Sequence, residues 1–317
     1  MQNDSSKSTD QATRTGVSRL TIDADAQGQR IDNFLKKHLK DVPMRHVYRI
    51  IRSGEVRVNG GRVKPTRKLA QGDELRLPPL LRHVNGEVVI PAGVQNRLEQ
   101  AIVFEDDELI VLAKPEGLAV HGGSTLPFGI IEALRVSRDE TRLELIHRLD
   151  RDTSGCLMIG KTLIATRKYQ DMFRQRQVHK TYRALVSGQW QVDSKQISNR
   201  LVTNHVVGGE RMVKEDPAGK LAQSSFNTLQ VLPGATEMEV TIATGRTHQI
   251  RVHAAGCGHP LVGDRKYGDN THNKQFHRVG LKRLYLHAER LVIEDGRKFE
   301  VEPGNAWRED LARLDNN

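Results

Sequence analysis

Apolar positions recur with two different periods along this chain, and the change of period divides it. Residues 19–22 form a short strand-like run. Ile31, Phe34, Leu35 and Leu39 then recur at the spacing that puts them on one helix face. Val47, Ile50 and Ile51 make a second stripe, with Gly54 placed to end that helix. Residues 55–58 and 73–77 alternate as strands do, and Asn59-Gly60 between them is a tight-hairpin signal. Together these elements make one small unit, 18–79. The residues before it, 1–17, are rich in Ser, Thr, Gln and Asp with almost no large apolar side chains, so a disordered tail is expected.

Pro79, Gly86, Pro91 and Gly93 interrupt the next stretch, so 80–100 reads as a linker, with Val88, Val89 and Ile90 as an edge strand inside it. Beyond it the pattern predicts strands at 102–104, 109–113, 181–186, 224–231, 237–242, 284–287 and 291–293. Helices are fewer, at 129–136, 163–174, 247–256 and 307–314. On the third of these, Ile250, His253, Ala254 and Cys257 share one seam. Runs of neighbouring strands argue for a mixed, mostly antiparallel α+β domain over 101–317.

At 317 residues the chain has room for two domains. Lys and Arg number 49 against 39 acidic residues, a net charge of +10, which suits a polyanionic partner. The excess is local. Arg45, Arg49, Arg52, Arg57, Arg62, Lys64, Arg67 and Lys68 are opposed only by Glu55 in that stretch. Arg45, Arg49 and Arg52 share a helix face, and a forked guanidinium matches phosphate oxygens. Such contacts give affinity and orientation with little choice of sequence. Aromatic content is 4%, which leaves base stacking to a few placed rings. Cys156 and Cys257 form no C-x-x-C pair and lie in apolar surroundings, so they read as small core residues in a reducing cytoplasm. The first residues lack the apolar core of a secretory signal, and no apolar run approaches a membrane span. A cytoplasmic protein is expected.

The candidate chemistry centres on Ile146-His147-Arg148-Leu149-Asp150-Arg151-Asp152-Thr153-Ser154-Gly155. Apolar runs at 143–146 and 156–159 flank it, so it reads as a loop on rigid supports, where functional residues tend to be placed. Arg148 and Arg151 flank Asp150 and favour its ionised form. A permanently charged carboxylate without a partner at glycosidase-like spacing suits a nucleophile or base better than a proton donor. Tyr182 lies on the alternating strand Lys180-Thr181-Tyr182-Arg183-Ala184-Leu185-Val186. Thr244-Gly245-Arg246-Thr247-His248-Gln249-Ile250-Arg251 reads as a turn into a helix. Arg251 lies about 100 degrees from the Ile250 seam and is free to face a cleft. In Lys114-Pro115-Glu116-Gly117-Leu118-Ala119-Val120-His121-Gly122-Gly123 the paired glycines admit a close backbone approach, but the Lys-Ser/Thr ending of a Walker loop is missing. His248, His253 and His259 lack an accompanying carboxylate pattern, so a metal site is not supported, and His253 reads as a hydrogen-bonded packing residue.

These stretches, in this order, resemble the signatures of the RluA-type pseudouridine synthases, which isomerise uridine to pseudouridine in RNA. The likeness covers all but the two ends of the chain. It implies a synthase-type sheet domain with Asp150 as the catalytic aspartate and Arg251 as its ion-pair partner. Tyr182 is implied as the active-site tyrosine, stacking on an extruded uracil and assisting proton removal from C5. Arg148 would fill the space left by the flipped nucleotide or touch its backbone. His121 and its loop would shape the cleft, and Arg246 would anchor phosphate or neighbouring structure. The first unit resembles the S4 RNA-binding module, with Arg45, Arg49, Arg52 and Lys64 as its RNA contacts. Neither a metal nor an organic cofactor is implied. Three roles for Asp150 stay open: attack on C6, attack on C1′, or removal of the C2′ proton.

The leading S4-like module, the run from His121-Gly122-Gly123-Ser124 into Phe128-Gly129, and Arg151-Asp152 within the signature are most similar to the members acting on 23S rRNA. The implied partner is 23S rRNA or a large-subunit assembly intermediate, met by a monomer away from any membrane. Two other classes compete: a non-catalytic S4-type RNA-binding or ribosome-assembly factor, and a metal-dependent phosphodiesterase or nuclease. The latter needs a carboxylate cluster or a histidine pair flanking phosphate, and none is convincingly spaced.

Overall fold

The computed structural model describes residues 12–14, 16–39, 42, 44–83, 90–123, 126–207 and 210–315, with side chains left out at 12–14, 81–83, 204–207, 210 and 211. The chain divides into two units, Met1–Val89 and Ile90–Asn317.

The first unit runs β1 (Ala12–Arg14), β2 (Ser18–Thr21), α1 (Ile31–His38), α2 (Met44–Arg52), β3 (Arg57–Val58), β4 (Gly61–Arg62), β5 (Glu74–Leu77) and β6 (Leu81–His83). The helical stripes bury as their spacing requires: Ile31, Leu35, Val47 and Ile50 are fully inaccessible and pack on Leu75 of β5. The sheet order is β2-β5-β3-β4. Asn59 and Gly60 both adopt positive φ, 51° and 77°, and the two-residue turn sets Val58 opposite Gly61. The tail expectation needs correction. Ala12–Arg14 pairs antiparallel with Leu81–His83, because ladder hydrogen bonds need backbone and no apolar pattern. The rest of 1–15 lies outside the described residues.

The linker expectation is corrected too. Ala92–Gln100 is a helix, α3, with Leu98 fully buried against the core of the second unit. Pro91 sits at its start, where a missing N–H costs nothing. Val88 and Val89 of the expected edge strand lie outside the described residues, and Ile90 is buried in the same core without joining a strand.

The second unit continues with β7 (Ile102–Glu105), β8 (Leu109–Lys114), α4 (Ile130–Ser137), β9 (Glu144–Leu145), β10 (Ser154–Gly160), α5 (Leu163–Arg174), β11 (Val178–Ser187), β12 (Ser194–Val207), β13 (Glu210–Glu215), β14 (Lys220–Leu232), β15 (Ala235–Ile242), α6 (Gln249–Gly256), α7 (Asn270–Arg278), β16 (Leu286–Ile293), β17 (Lys298–Glu300) and α8 (Asn305–Asp315). Its sheet has the order β13-β12-β14-β15-β11-β16-β10-β8-β7, with β9 on β10 and β17 on β16. Every described pairing is antiparallel except β10 with β16. β10 is buried along its whole length because both faces are covered. Leu157 and Ile159 join the main core, while Cys156 and Met158 pack on the opposite face with Tyr169 of α5.

Four elements depart from the apolar pattern. β12 and β13 are largely polar. α7 buries only Phe276 and is held at its start by Asp269, whose carboxylate accepts from the Thr271 and His272 N–H groups. β16 is one strand where two were expected, because His287 and Glu289 are buried but paired, with Ser154 and Arg183. Among the described residues no helix is long and apolar enough to cross a membrane.

Candidate active site

The loop leading into β10 is held at three points. Gly155 has φ +110° and lies against β16 so closely that a Cβ would stand 2.1 Å from the Ala288 oxygen, which excludes every other residue. His147 stacks on Phe173 with ring centroids 4.7 Å apart, and its Nε2 accepts the Met158 N–H at 3.0 Å. Burial, helped by Lys180, pushes the His147 pKa down to about 3, so the ring works as a neutral acceptor. Lys114, at the end of β8 and 1% exposed, donates to the carbonyls of Pro115, Arg151 and Thr153 at 2.9, 2.8 and 2.7 Å. Burial pushes its pKa down to about 7 against the charges of Asp152, Asp150 and Glu116. The three carbonyls match the three N–H bonds of the ammonium form.

Asp150 projects from this clamped loop with its side chain 27% exposed. α6 supplies its partner. The helix begins after His248, which is in the left-handed conformation, and buried Gln249 fixes the turn by accepting from Thr244 Oγ1 and the Arg246 N–H. Arg251 gives Nε and Nη2 to Asp264 at 2.7 and 2.8 Å and Nη1 to Asp150 Oδ2 at 3.3 Å. Burial alone would lower the guanidinium pKa, but the bonds to Asp264 and the charges of both carboxylates raise it on balance. Tyr182 of β11 borders the same space. Its burial, with the charge of Asp150, pushes the phenol above its ordinary range, so the hydroxyl is protonated at neutral pH.

These side chains enclose a cavity of about 280 Å³, lined by Asp150, Tyr182, Arg251, His248, Arg148 and Arg246 among others. A recess of about 630 Å³ beside α8 is larger, but its charges are already matched: Arg183 meets Glu237 and Glu289, Arg290 meets Glu239 and Glu300, and Arg308 meets Glu302. The smaller cavity sets a partly exposed carboxylate among arginine side chains and beside an aromatic ring, an arrangement that can hold a reacting carboxylate.

A family profile described as RNA pseudouridylate synthase matches residues 108–256, and one described as S4 domain matches 29–75. The chain is 46% identical over 303 residues to the ribosomal large subunit pseudouridine synthase C of Haemophilus influenzae, covering 95% of this chain and 94% of that one. It is 49% identical over 281 residues to the protein of the same name from Yersinia pestis, covering 88% of each. Among solved structures, human RNA Pseudouridylate Synthase Domain Containing 1 superposes with a TM-score of 0.59 at 26% identity, covering 72% of this chain and 91% of that one. The chain belongs to the RNA pseudouridine synthase family. It is an isomerase, with an S4 domain ahead of a synthase domain.

Of the residues that the sequence nominated, the synthase cavity brings together Asp150, Tyr182, Arg251, Arg148 and Arg246. Arg246 also donates to the Leu221 carbonyl at 3.0 Å. His121 is exposed and does not line the cavity, although its loop is fixed by Glu132, which accepts from the N–H groups of Gly122 and Gly129. The flanking arginines are not what holds the carboxylate: Arg151 turns to Asp152, and the guanidinium on Asp150 comes from Arg251, 101 residues away. Arg45, Arg49, Arg52 and Lys64 are exposed in the S4 unit. There Arg49 bonds His46 and Arg52 lies over Tyr48. His253 is used internally, between Ser224 and Asn199, and His259 meets the Ser187 carbonyl. Sequence reasoning missed Asp264, Gln249, Tyr267 and the contact of His248 with Asp150. The run Gly263-Asp264-Arg265-Lys266-Tyr267-Gly268 carries turn signals at both ends, and these were the available clue.

Proposed function

We propose that this synthase isomerises uridines of large-subunit (23S) ribosomal RNA, free or in an assembling subunit, and that Asp150 is its catalytic carboxylate. The observation that carries the site is the placement of Asp150: anchored by Arg251 at 3.3 Å yet open to the cavity that Tyr182 borders. The names of the relatives supply the RNA class.

In this reading a uridine leaves its stack and enters the cavity, at a cost of a few kcal/mol in lost stacking and pairing. The N1–C1′ bond breaks, the base turns over, and C5 bonds to C1′. C5 then loses its proton, N1 ends protonated, and the overall composition is unchanged. Asp150 drives detachment by attack on C6, by attack on C1′, or by removing the C2′ proton. Tyr182 stacks on the extruded base, and Arg251 fixes the carboxylate. Arg148 occupies the vacated position, Arg246 meets the backbone, and His121 flanks the RNA approach. Arg45, Arg49, Arg52 and Lys64 hold phosphates. In this reading the enzyme works as a monomer in the cytoplasm, without metal or organic cofactor.

The test is pseudouridine mapping of rRNA from cells lacking this protein. Specific large-subunit sites should be lost, returning with the wild-type gene and not with Asp150→Ala. Loss of no site would refute the substrate assignment.

A further inference from the structure

The turn that anchors Arg251 also reaches Asp150 by a second route. Asp264 Oδ1 accepts the N–H groups of Lys266 and Tyr267 at 2.9 and 3.0 Å, which folds 264–267 tightly around the carboxylate that grips Arg251. The Tyr267 side chain then returns toward α6. Its hydroxyl lies 2.7 Å from His248 Nδ1 and accepts the Val213 N–H of β13 at 2.9 Å. The opposite edge of the imidazole, Nε2, faces Asp150 Oδ2 at 3.7 Å.

Electrostatics selects the proton positions along this line. If Nδ1 carried the proton, the Nε2 lone pair would point at a carboxylate oxygen. The favourable arrangement has Tyr267 donating to Nδ1 and accepting from Val213, which leaves an N–H at Nε2 aimed at Asp150. The groups facing His248 are Asp150, Arg251, Lys266, Asp264 and Tyr267. Burial lowers its pKa, and Arg251 and Lys266 work in the same direction against Asp150 and Asp264, so the ring is mainly neutral. The separation of 3.7 Å is longer than a hydrogen bond, and catalytic contacts commonly tighten once substrate is bound. His248 itself stands at the N-cap of α6 with a left-handed backbone, φ 53°.

We propose that Tyr267 and His248 are positioning residues for the isomerisation: the 264–267 turn orients the Asp150 carboxylate through them as well as through Arg251. This rests on Asp150 being the catalytic group.

The experiment measures single-turnover pseudouridine formation and RNA affinity with an rRNA fragment, for the full-length chain and its Tyr267→Phe, His248→Asn, His248→Gln and double Tyr267→Phe/His248→Asn variants. Phe keeps the ring over Arg251 and removes only the hydroxyl. Asn tolerates the left-handed backbone and removes Nε2. Each single variant should lower the rate roughly ten- to a hundredfold, as a displaced catalytic group does, with RNA affinity unchanged. The double variant should be no slower than the slower single one, because both break the same line. Gln, which restores an N–H near the Nε2 position, should recover part of the rate. A full rate in Tyr267→Phe overturns the proposal, as do losses that multiply in the double variant or Gln no faster than Asn. Asp150→Ala is run alongside. Activity in that variant would remove the underlying reading. Inactivity there together with full activity in Tyr267→Phe would remove only the positioning role.

Discussion

Asp150 and Asp264 share one guanidinium. Arg251 commits Nε and Nη2 to Asp264 and leaves Nη1 for Asp150, and the two carboxylates differ in access, 0% exposed for Asp264 and 27% for Asp150. The buried partner fixes the plane of the guanidinium, and the accessible one receives a donor whose direction is already set. Asp264→Asn should therefore act twice. Denaturant unfolding should show a loss of about 3–5 kcal/mol, the usual consequence of leaving one member of a buried pair uncompensated. The rate should fall as well, because Arg251 is released to rotate. Wild-type stability in Asp264→Asn would mean that the pair is not what locks Arg251.

Much of this was legible in the sequence, and the exceptions share a cause. The stripes of α1 and α2, the Asn59-Gly60 turn, and the extents of α5 and α8 follow from periodicity that burial imposes. Asp150, Tyr182 and Arg251 were legible as a set through their motifs. What periodicity does not carry is polar structure satisfied by polar partners. β12 and β13, α7, and the His287 and Glu289 positions of β16 are held by hydrogen bonds and ion pairs rather than an apolar face. The same blindness hid Asp264 and Tyr267, whose role exists only once a turn 13 residues after Arg251 folds back on it. Local charge also misled: Arg151 neighbours Asp150 in sequence but turns to Asp152, and although Arg148 lines the cavity, the guanidinium bonded to Asp150 is that of Arg251.

Tyr182 separates stacking from hydroxyl chemistry. Burial and the Asp150 charge hold its phenol protonated at neutral pH, so its contribution should not titrate in the working range. Tyr182→Phe should keep RNA affinity and lower turnover by about 10²-fold, the scale of a positioned proton-transfer group. Tyr182→Ala should lower affinity for the extruded base as well. Full turnover in Tyr182→Phe with a loss only in Tyr182→Ala would assign Tyr182 to stacking alone.

Buried neutral histidines should make the fold sensitive to acid. The His253 pKa is pushed by burial from 6.5 to about 4. The unfolded chain therefore binds more protons between those values, and the stability that neutral His253 contributes is complete above 6.5 and is lost as pH falls toward 4. His147 carries the same dependence lower, to about 3. Urea midpoints measured from neutral pH downward should fall through this window, with a shallower slope in His253→Gln. An unchanged slope in that variant would contradict the assignment.

The exposed arginines of α2 should govern salt dependence. Replacing Arg45, Arg49 and Arg52 together by Ala should weaken RNA binding. The slope of log K against log salt should become shallower by roughly one for each phosphate that is no longer neutralised. Turnover at saturating RNA should be retained. An unaltered slope would place RNA on another surface.

The central claim is that a single carboxylate, held by Arg251 and open to the Tyr182 cavity, performs the isomerisation. Purified Asp150→Ala protein incubated with large-subunit rRNA tests it most directly, with pseudouridine, RNA affinity and melting temperature read on the same preparation. The expected result is no pseudouridine, with affinity and melting close to wild type. Pseudouridine formed at or near the wild-type rate would contradict the account.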